Sequence, residues 1–120
     1  MATLSDYNFE ELGYPVDTLK CNDGTEFQMV FFKHSSLLII IDGKYIYIDP
    51  VTSHADYDRL PKADLILFSH HHYDHYEPEA VYKLQCMSTH IICDVSTAQL
   101  LSELSIVTTP LRPNQSVTPF

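Results

Sequence analysis

A dense group of metal-binding residue types lies in the middle of the chain. Residues 69–76 read Ser-His-His-His-Tyr-Asp-His-Tyr, and they place His70, His72, Asp74 and His75 within six positions. Imidazole and carboxylate groups favour water over a buried site unless a partner compensates them. Neutral imidazole nitrogen and carboxylate oxygen are ligands that suit Zn²⁺, Mn²⁺ or Fe. The pattern therefore predicts one or two divalent ions, with zinc first and manganese or iron as alternatives.

The residues before this group explain how the side chains could converge. Residues 63–68 read Ala-Asp-Leu-Ile-Leu-Phe, an apolar run that predicts a buried strand. In an extended chain His70 and His72 point to one side and His71 to the other, so His70 and His72 can chelate one ion. Asp74 and His75, beyond a turn, can face a second position. The alternative is a solvated histidine-rich loop.

These residues resemble the His-x-His-x-Asp-His motif of the metallo-β-lactamase superfamily. In that superfamily the first two histidines bind one metal and the Asp-His pair binds the second. The resemblance implies that His70 and His72 hold the first ion, and that Asp74 and His75 hold the second. It also implies a catalytic role for Asp74, which could handle a proton. For His71 a solvent or outer role is expected instead.

The strand before the motif ends in a second acidic residue. Asp42-Gly43 separates two β-prone runs and predicts a hairpin, because both residues tolerate positive φ. The second run ends in Asp49, which resembles the superfamily's acidic residue after the strand that precedes the histidine motif. Such a residue would accept an N–H from a ligand imidazole and fix its tautomer. The alternative is a strand-ending turn residue before Pro50.

A further histidine precedes the first strand of this hairpin. The stretch Lys33-His34-Ser35-Ser36 resembles a His-Ala-Ser stretch in the branch of the superfamily that contains ascorbate-6-phosphate lactonase. The resemblance implies that His34 lies near the metals. A capped or hydrogen-bonded strand histidine is the alternative.

Composition limits the partners and the compartment. With 120 residues and 45% hydrophobic residues, the chain suits one compact domain. A formal charge of −9 argues against nucleic acid and anionic membranes as partners. The three cysteines show no disulfide framework and no CxxC spacing, which favours a reducing compartment. No apolar run approaches the ~20 residues of a membrane helix. We expect a cytoplasmic protein; an exported form whose leader has been removed is the alternative.

The order of elements predicts an α/β (α+β) fold. Residues 1–16 are expected to form a loose N-terminal arm, and residues 17–120 the N-terminal half of a metallo-β-lactamase-like domain. That half would be one part of an αββα sandwich, with a mixed, mostly antiparallel sheet and flanking helices. The predicted strands are 17–21, 25–32, 36–41, 45–49, 64–69, 91–93 and one beginning at Val107; the predicted helices are 53–60, 77–84 and 96–104, the last opened by a Ser96-x-x-Gln99 capping box.

The resemblance covers residues from about 25 to 110 and ends before the remaining family ligands. The second half of complete members supplies two more histidines and a bridging aspartate. After Asp94 this chain has only Glu103 as an acidic residue, and it has no histidine. Residues 37–41 and 65–68 are also apolar on both faces of their strands, so one face needs a cover. We expect the C-terminal half of the same domain or a second copy of the chain to provide it.

The sequence is compatible with two functions. The first is a metal-dependent hydrolase that activates water and acts on a small molecule. The bond cleaved could be a lactone, phosphodiester, amide or thioester, since fold does not decide chemistry. The second is a non-catalytic metal-binding half-domain that dimerises or serves as an interaction module.

Overall fold

The computed structural model describes residues 7–69 and 76–119. Within these residues seven strands form one sheet, and their spatial order follows the sequence. The strands are β1 (Val16–Lys20), β2 (Glu26–Lys33), β3 (Ser36–Ile41), β4 (Lys44–Ile48), β5 (Leu65–Phe68), β6 (His90–Cys93) and β7 (Thr109–Pro110). The helices are α1 (Pro78–Leu84) and α2 (Val95–Glu103), and a short 3₁₀ turn spans Tyr57–Arg59.

Strand pairing changes direction in the middle of the sheet. The pairs from β1 to β4 are antiparallel, whereas those from β4 to β7 are parallel. The described part of the sheet is therefore mixed, with three antiparallel and three parallel strand pairs, and the antiparallel pairs contain most of the paired residues, as expected. Parallel pairing requires each connection to return the chain to the edge where the previous strand began. Helices α1 and α2 do this between β5, β6 and β7, and residues 49–64, which contain the 3₁₀ turn, do it between β4 and β5.

Both predicted hairpins are present. Asp42 and Gly43 connect β3 to β4 and have φ angles of 50° and 74°. Gly24, between β1 and β2, has φ of 92°, and the Asp23 carboxylate accepts the Thr25 N–H at 2.9 Å. These residue types tolerate the left-handed conformation that such turns need.

One face of the sheet carries the main core. Alternate residues of the central strands point to this face, and both described helices pack on it through Val81, Leu84 and Leu101. The strand residues of the core cluster are Val30, Leu38, Ile40, Tyr45, Tyr47, Ile66, Phe68, Ile91 and Cys93. The confirmed α+β arrangement is thus a sheet with its described helices on one side.

The other face, which we call the second face, is also apolar. Met29, Ile39 and Ile46 are cross-strand neighbours on it and remain partly exposed. Phe31 on the same face is 36% exposed, and Leu19 is 41% exposed. Leu65 and Ile92 are buried but stand outside the core cluster. The sheet is therefore apolar on both sides, as predicted.

Three predicted elements differ from those observed. The helix expected over residues 53–60 is only the 3₁₀ turn Tyr57–Arg59. Helix α2 has Asp94 as its N-cap in place of Ser96, and the Thr97 hydroxyl donates to the Asp94 carboxylate. The last strand starts at Thr109, two residues after Val107, because its pairing with β6 involves only Thr109 and Pro110.

The described part of the predicted N-terminal arm packs against the sheet. Phe9 is 4% exposed and belongs to the core cluster, and the ring of Tyr14 contacts Phe32 edge-on at 4.9 Å. The division of the chain at residue 16 stays a prediction. Among the helices of the described ranges, none is both long and apolar enough to cross a membrane.

Candidate metal centre

The topology gathers several polar residues at one edge of the sheet. Asp49, Ser69 and Asp94 directly follow β4, β5 and β6, whose parallel directions bring their carboxyl ends to the same edge. The turn between β2 and β3, which contains His34, lies there too, because Leu37 pairs with Ile48. The carboxyl ends of strands in open α/β sheets are a usual location for binding sites.

The predicted ligands His70, His72, Asp74 and His75 lie outside the described residues, as does His71. Their convergence therefore stays a prediction. The structure does describe the residues on both sides of them. Ser69 directly follows β5 at this edge, and Glu77 is the N-cap of α1. The motif thus connects a sheet strand to a helix that packs on the core.

Asp49 holds the end of β5. One of its carboxylate oxygens accepts the Ser69 backbone N–H at 2.6 Å, and the other accepts the Ser69 hydroxyl at 2.7 Å. Asp49 is 2% exposed, and its φ of 46° lies in the left-handed region. Its own N–H donates to the carbonyl of Leu67 at 2.8 Å. Asp49 therefore orients the residue directly before His70, while its contact with a ligand imidazole stays a prediction.

A buried serine connects Asp49 to a histidine. Ser36 is 2% exposed, and its hydroxyl oxygen lies 2.6 Å from the Asp49 carbonyl oxygen and 2.6 Å from Nδ1 of His54. A carbonyl oxygen can only accept, so the single Ser36 proton is donated to Asp49. The Ser36 oxygen then accepts from His54, which assigns the proton of a neutral His54 to Nδ1.

His34 lies beside this network. It is exposed, its φ is 56°, and its ring centroid is 5.1 Å from that of His54. The structure thus places His34 at the edge from which the motif begins, although its proximity to a metal stays a prediction. His90 begins β6 and lies at the opposite edge, where its N–H donates to Asp64 at 3.0 Å.

The loop that carries His54 is fixed at several points. Tyr57 is buried, its hydroxyl accepts the Val51 N–H at 3.3 Å, and burial raises the pKa of this phenol. The Thr52 hydroxyl donates to the Glu77 carboxylate, which joins the loop to the N-cap of α1. A hollow of about 440 Å³ borders this loop and is lined by Tyr14, Thr52, His54, Asp56 and Lys83, among others.

Sequence reasoning did not assign Ser36, His54 or Ser69 to the site. Ser69 carried a usable signal, because it directly precedes the motif and could hydrogen-bond a neighbouring strand end. Ser36 and His54 are 18 positions apart, and nothing in their spacing predicts that they meet. Within residues 7–69 and 76–119, no group of three or more His, Cys, Asp or Glu side chains is arranged to hold a metal.

Comparisons with known proteins identify the family and support the fold. Residues 28–116 match a family model described as the beta-lactamase superfamily domain. A metal-dependent hydrolase from Parabacteroides distasonis is 37% identical, with a TM-score of 0.72 over 74% of this chain and 40% of that one. A search of the curated proteins gave no match.

Two more distant structures share the fold. A metallo hydrolase from the hyperthermophilic archaeon Ignicoccus hospitalis is 20% identical, with a TM-score of 0.63 over 75% of this chain and 41% of that one. The apo chemotaxis sensor ODP of T. denticola is 16% identical, with a TM-score of 0.55 over 82% of this chain and 46% of that one.

The chain therefore spans less than half the length of each of these three structures. Its family match covers most of the sheet and both described helices. On these grounds the chain belongs to the metallo-β-lactamase superfamily and corresponds to the N-terminal half of its domain.

Proposed function

We propose that this protein is a metal-dependent hydrolase with its metal centre at His70, His72, Asp74 and His75. The observation that carries the proposal is the clamp between Asp49 and Ser69, at 2.6 and 2.7 Å, directly before the first of these residues. Residues that bind one metal ion need a rigid support, because their side chains must stay in the coordination geometry of the ion. The 37% identical metal-dependent hydrolase supports the same function.

The donor types fit a divalent ion. Three imidazoles and a carboxylate suit zinc, with manganese or iron as alternatives, and two pairs of ligands can serve one or two ions. When bound, such an ion supplies Lewis acidity and lowers the pKa of water. His70 and His72 would hold one position, and Asp74 and His75 the other. Asp74 would in addition accept a proton from the attacking water.

The reaction would be hydrolysis of a small molecule. The net charge of −9 disfavours a polyanionic nucleic acid substrate. A hollow of about 490 Å³ lies next to Ser69 and combines the apolar Leu67 and Ile92 with the charged types Asp94 and Arg112. We assign the substrate to this side of the edge, without choosing among lactone, phosphodiester, amide and thioester bonds.

The second face supports a proposal about the rest of the site. Its apolar residues are only partly covered, and the chain spans 40% of the related hydrolase. Two ligands for each ion are fewer than the three protein ligands of a usual catalytic zinc site. We propose that the second sheet of the same domain, or a second copy of this chain, covers the second face and supplies the missing ligands.

The free thiols support a proposal about the location of the protein. The three cysteines are free, and only Cys93 is buried. Exposed free thiols suit a reducing environment. We therefore propose a cytoplasmic location.

The test combines metal content with turnover. In the complete protein, with the second face covered, the wild type should bind one or two equivalents of zinc by inductively coupled plasma mass spectrometry and should hydrolyse at least one member of a panel of lactones, phosphodiesters, amides and thioesters. His72→Ala should lose both metal and turnover, because removing a ligand leaves the ion under-coordinated. His71→Ala is the matched control and should retain both.

The same data distinguish the alternative. Stoichiometric metal in the wild type without turnover on any substrate of the panel would favour a non-catalytic metal-binding module. Normal metal content in His72→Ala would overturn the ligand assignment.

A further inference from the structure

We propose that His54 is a positioning residue of the metal centre, acting through Ser36 and Asp49 on the strand end that carries the histidine motif. The inference deepens the proposed function and rests on it. The contacts form one path: His54 Nδ1 to Ser36 at 2.6 Å, Ser36 to the Asp49 carbonyl at 2.6 Å, and the Asp49 carboxylate to Ser69 at 2.6 and 2.7 Å.

Asp49 has a left-handed backbone conformation. Its φ of 46° is a conformation that residues with a side chain adopt at some cost in free energy. Surrounding contacts must hold such a residue in place. The N–H of Asp49 is bound to Leu67 and its carbonyl to Ser36, so hydrogen bonds fix the peptide groups on both sides of the turn. This turn aims the carboxylate at Ser69.

The Ser36 hydroxyl points at the Asp49 carbonyl. A serine hydroxyl rotates to suit its neighbours. With His54 donating to it, the Ser36 oxygen uses its proton for the Asp49 carbonyl. Without that donor the buried oxygen would lose a partner, and the hydroxyl could turn away from Asp49. The imidazole thus keeps the hydroxyl pointed at the turn.

Neighbouring contacts hold the loop of the His54 donor in place. His54 belongs to a loop held by the contact between Tyr57 and Val51 and by the hydrogen bond from Thr52 to Glu77. Glu77 is the N-cap of α1, the helix that follows the histidine motif. The loop therefore contacts Glu77, which follows the motif in sequence. Through His54 and Ser36 it is also linked to Asp49, which holds the strand end before the motif.

The choice of substitution separates the two ring nitrogens. Asparagine carries its amide nitrogen near the place of Nδ1, so His54→Asn keeps a donor for Ser36. Glutamine extends its amide group toward the place of Nε2, and alanine keeps neither. A positioning role through Nδ1 therefore predicts that Asn rescues the function and Gln does not.

Hydrogen exchange of the Ser69 amide gives a readout that requires no metal. In the metal-free protein, His54→Ala and His54→Gln should speed this exchange by about tenfold, because weaker contacts raise local opening, while His54→Asn should stay within about threefold of the wild type. Zinc dissociation constants should follow the same order, with a loss of about 10–100-fold for Ala and Gln. His90→Ala, at the opposite edge, is the control and should change neither quantity.

The outcomes separate this inference from the proposed function. Exchange in His54→Asn as fast as in His54→Ala, or exchange unaltered in all three variants, would overturn the positioning role. A long-range ¹H–¹⁵N spectrum that shows the proton of neutral His54 on Nε2 would also overturn it. Absence of metal binding by the wild type, with the exchange order as expected, would instead refute the proposed function. Circular dichroism of each variant confirms that it is folded.

Discussion

Asp49 uses both carboxylate oxygens on Ser69, the first residue after the neighbouring parallel strand. The backbone N–H of Ser69 lies 2.6 Å from one oxygen, and its hydroxyl lies 2.7 Å from the other. Asp49 is buried, and its backbone is in a left-handed conformation. The residue is therefore more than a turn residue before Pro50: it joins the ends of β4 and β5 where the motif begins.

Asp49→Asn should weaken metal binding more than it weakens the fold. The amide keeps the shape and one oxygen, and its NH₂ group can donate to the Ser69 hydroxyl, but the charge and the paired acceptors are lost. We expect the zinc dissociation constant to rise by about 10–100-fold, since residues that orient ligands typically have this effect. Isothermal titration with zinc measures this change, and urea unfolding should show a loss of only about 1 kcal/mol.

Asp42→Asn provides the matched control for this prediction. Asp42 has a similar φ of 50°, but it is exposed and lies at the hairpin turn at the opposite edge of the sheet. It should leave zinc binding unchanged. An Asp49→Asn protein with the wild-type dissociation constant would show that the clamp does not affect the centre.

The sequence pattern predicted the strands well where the local residues determine the backbone conformation. The apolar runs and the turn at Asp42-Gly43 gave β3 and β4 with bounds within one residue of those observed. The same reasoning failed over residues 53–60, where a helix was expected. There Tyr57, inside the segment, and Thr52, next to it, are held by Val51 and Glu77, and both of these partners lie outside the segment. Tertiary contacts of this kind leave no periodic signal.

The candidate site was predictable only in part, for the same reason. The run of metal-binding residue types from His70 to His75 could be recognised in the sequence, because the spacing of its first two ligands matches strand geometry. The contact of Ser36 with Asp49 joins positions 13 residues apart, and that of His54 with Ser36 joins positions 18 apart. Such contacts depend on the register between β3 and β4 and on the path of a loop, and the local sequence predicts neither of these.

Buried tyrosines should make the fold sensitive to alkali. Tyr47 is fully buried and donates its hydroxyl to the carbonyl of Pro61 at 2.7 Å, and burial raises its pKa well above 10.0. Above pH 10 the unfolded chain loses this proton while the native chain keeps it. The unfolded state then binds fewer protons, so the free energy of unfolding falls as pH rises, by about 1.4 kcal/mol per pH unit for one such group.

Urea unfolding between pH 8 and pH 11 measures this slope. Tyr47→Phe should be less stable at pH 8 by about 1 kcal/mol, since it loses a hydrogen bond, but its stability should fall less steeply. Tyr82→Phe is the control, because Tyr82 is 50% exposed on α1. Equal slopes for the wild type and Tyr47→Phe would contradict the prediction.

The three cysteines should react unequally with a thiol reagent. Burial raises the pKa of Cys93 to about 11, whereas hydrogen bonds from Ser88 and Thr89 lower the pKa of the exposed Cys86. Thiolate is the reactive form, so at pH 8 Cys86 should be labelled rapidly and Cys93 only after unfolding. Mass spectrometry after brief exposure to iodoacetamide gives the order. Rapid labelling of Cys93 in the native protein would show that β6 is accessible.

The last prediction concerns assembly through the second face. Covering the second face would stabilise the protein by about 25 cal/mol of free energy for each Å² of apolar surface removed from water. The 120-residue chain alone should therefore associate with itself or aggregate. Ile39 lies between Met29 and Ile46 on this face, and Ile39→Glu should shift the chain toward the monomer by light scattering. Tyr82→Glu, on the exposed side of α1, should not. A monodisperse 13.8 kDa wild-type species that is cooperatively folded and binds little hydrophobic dye would show that the second face needs no cover.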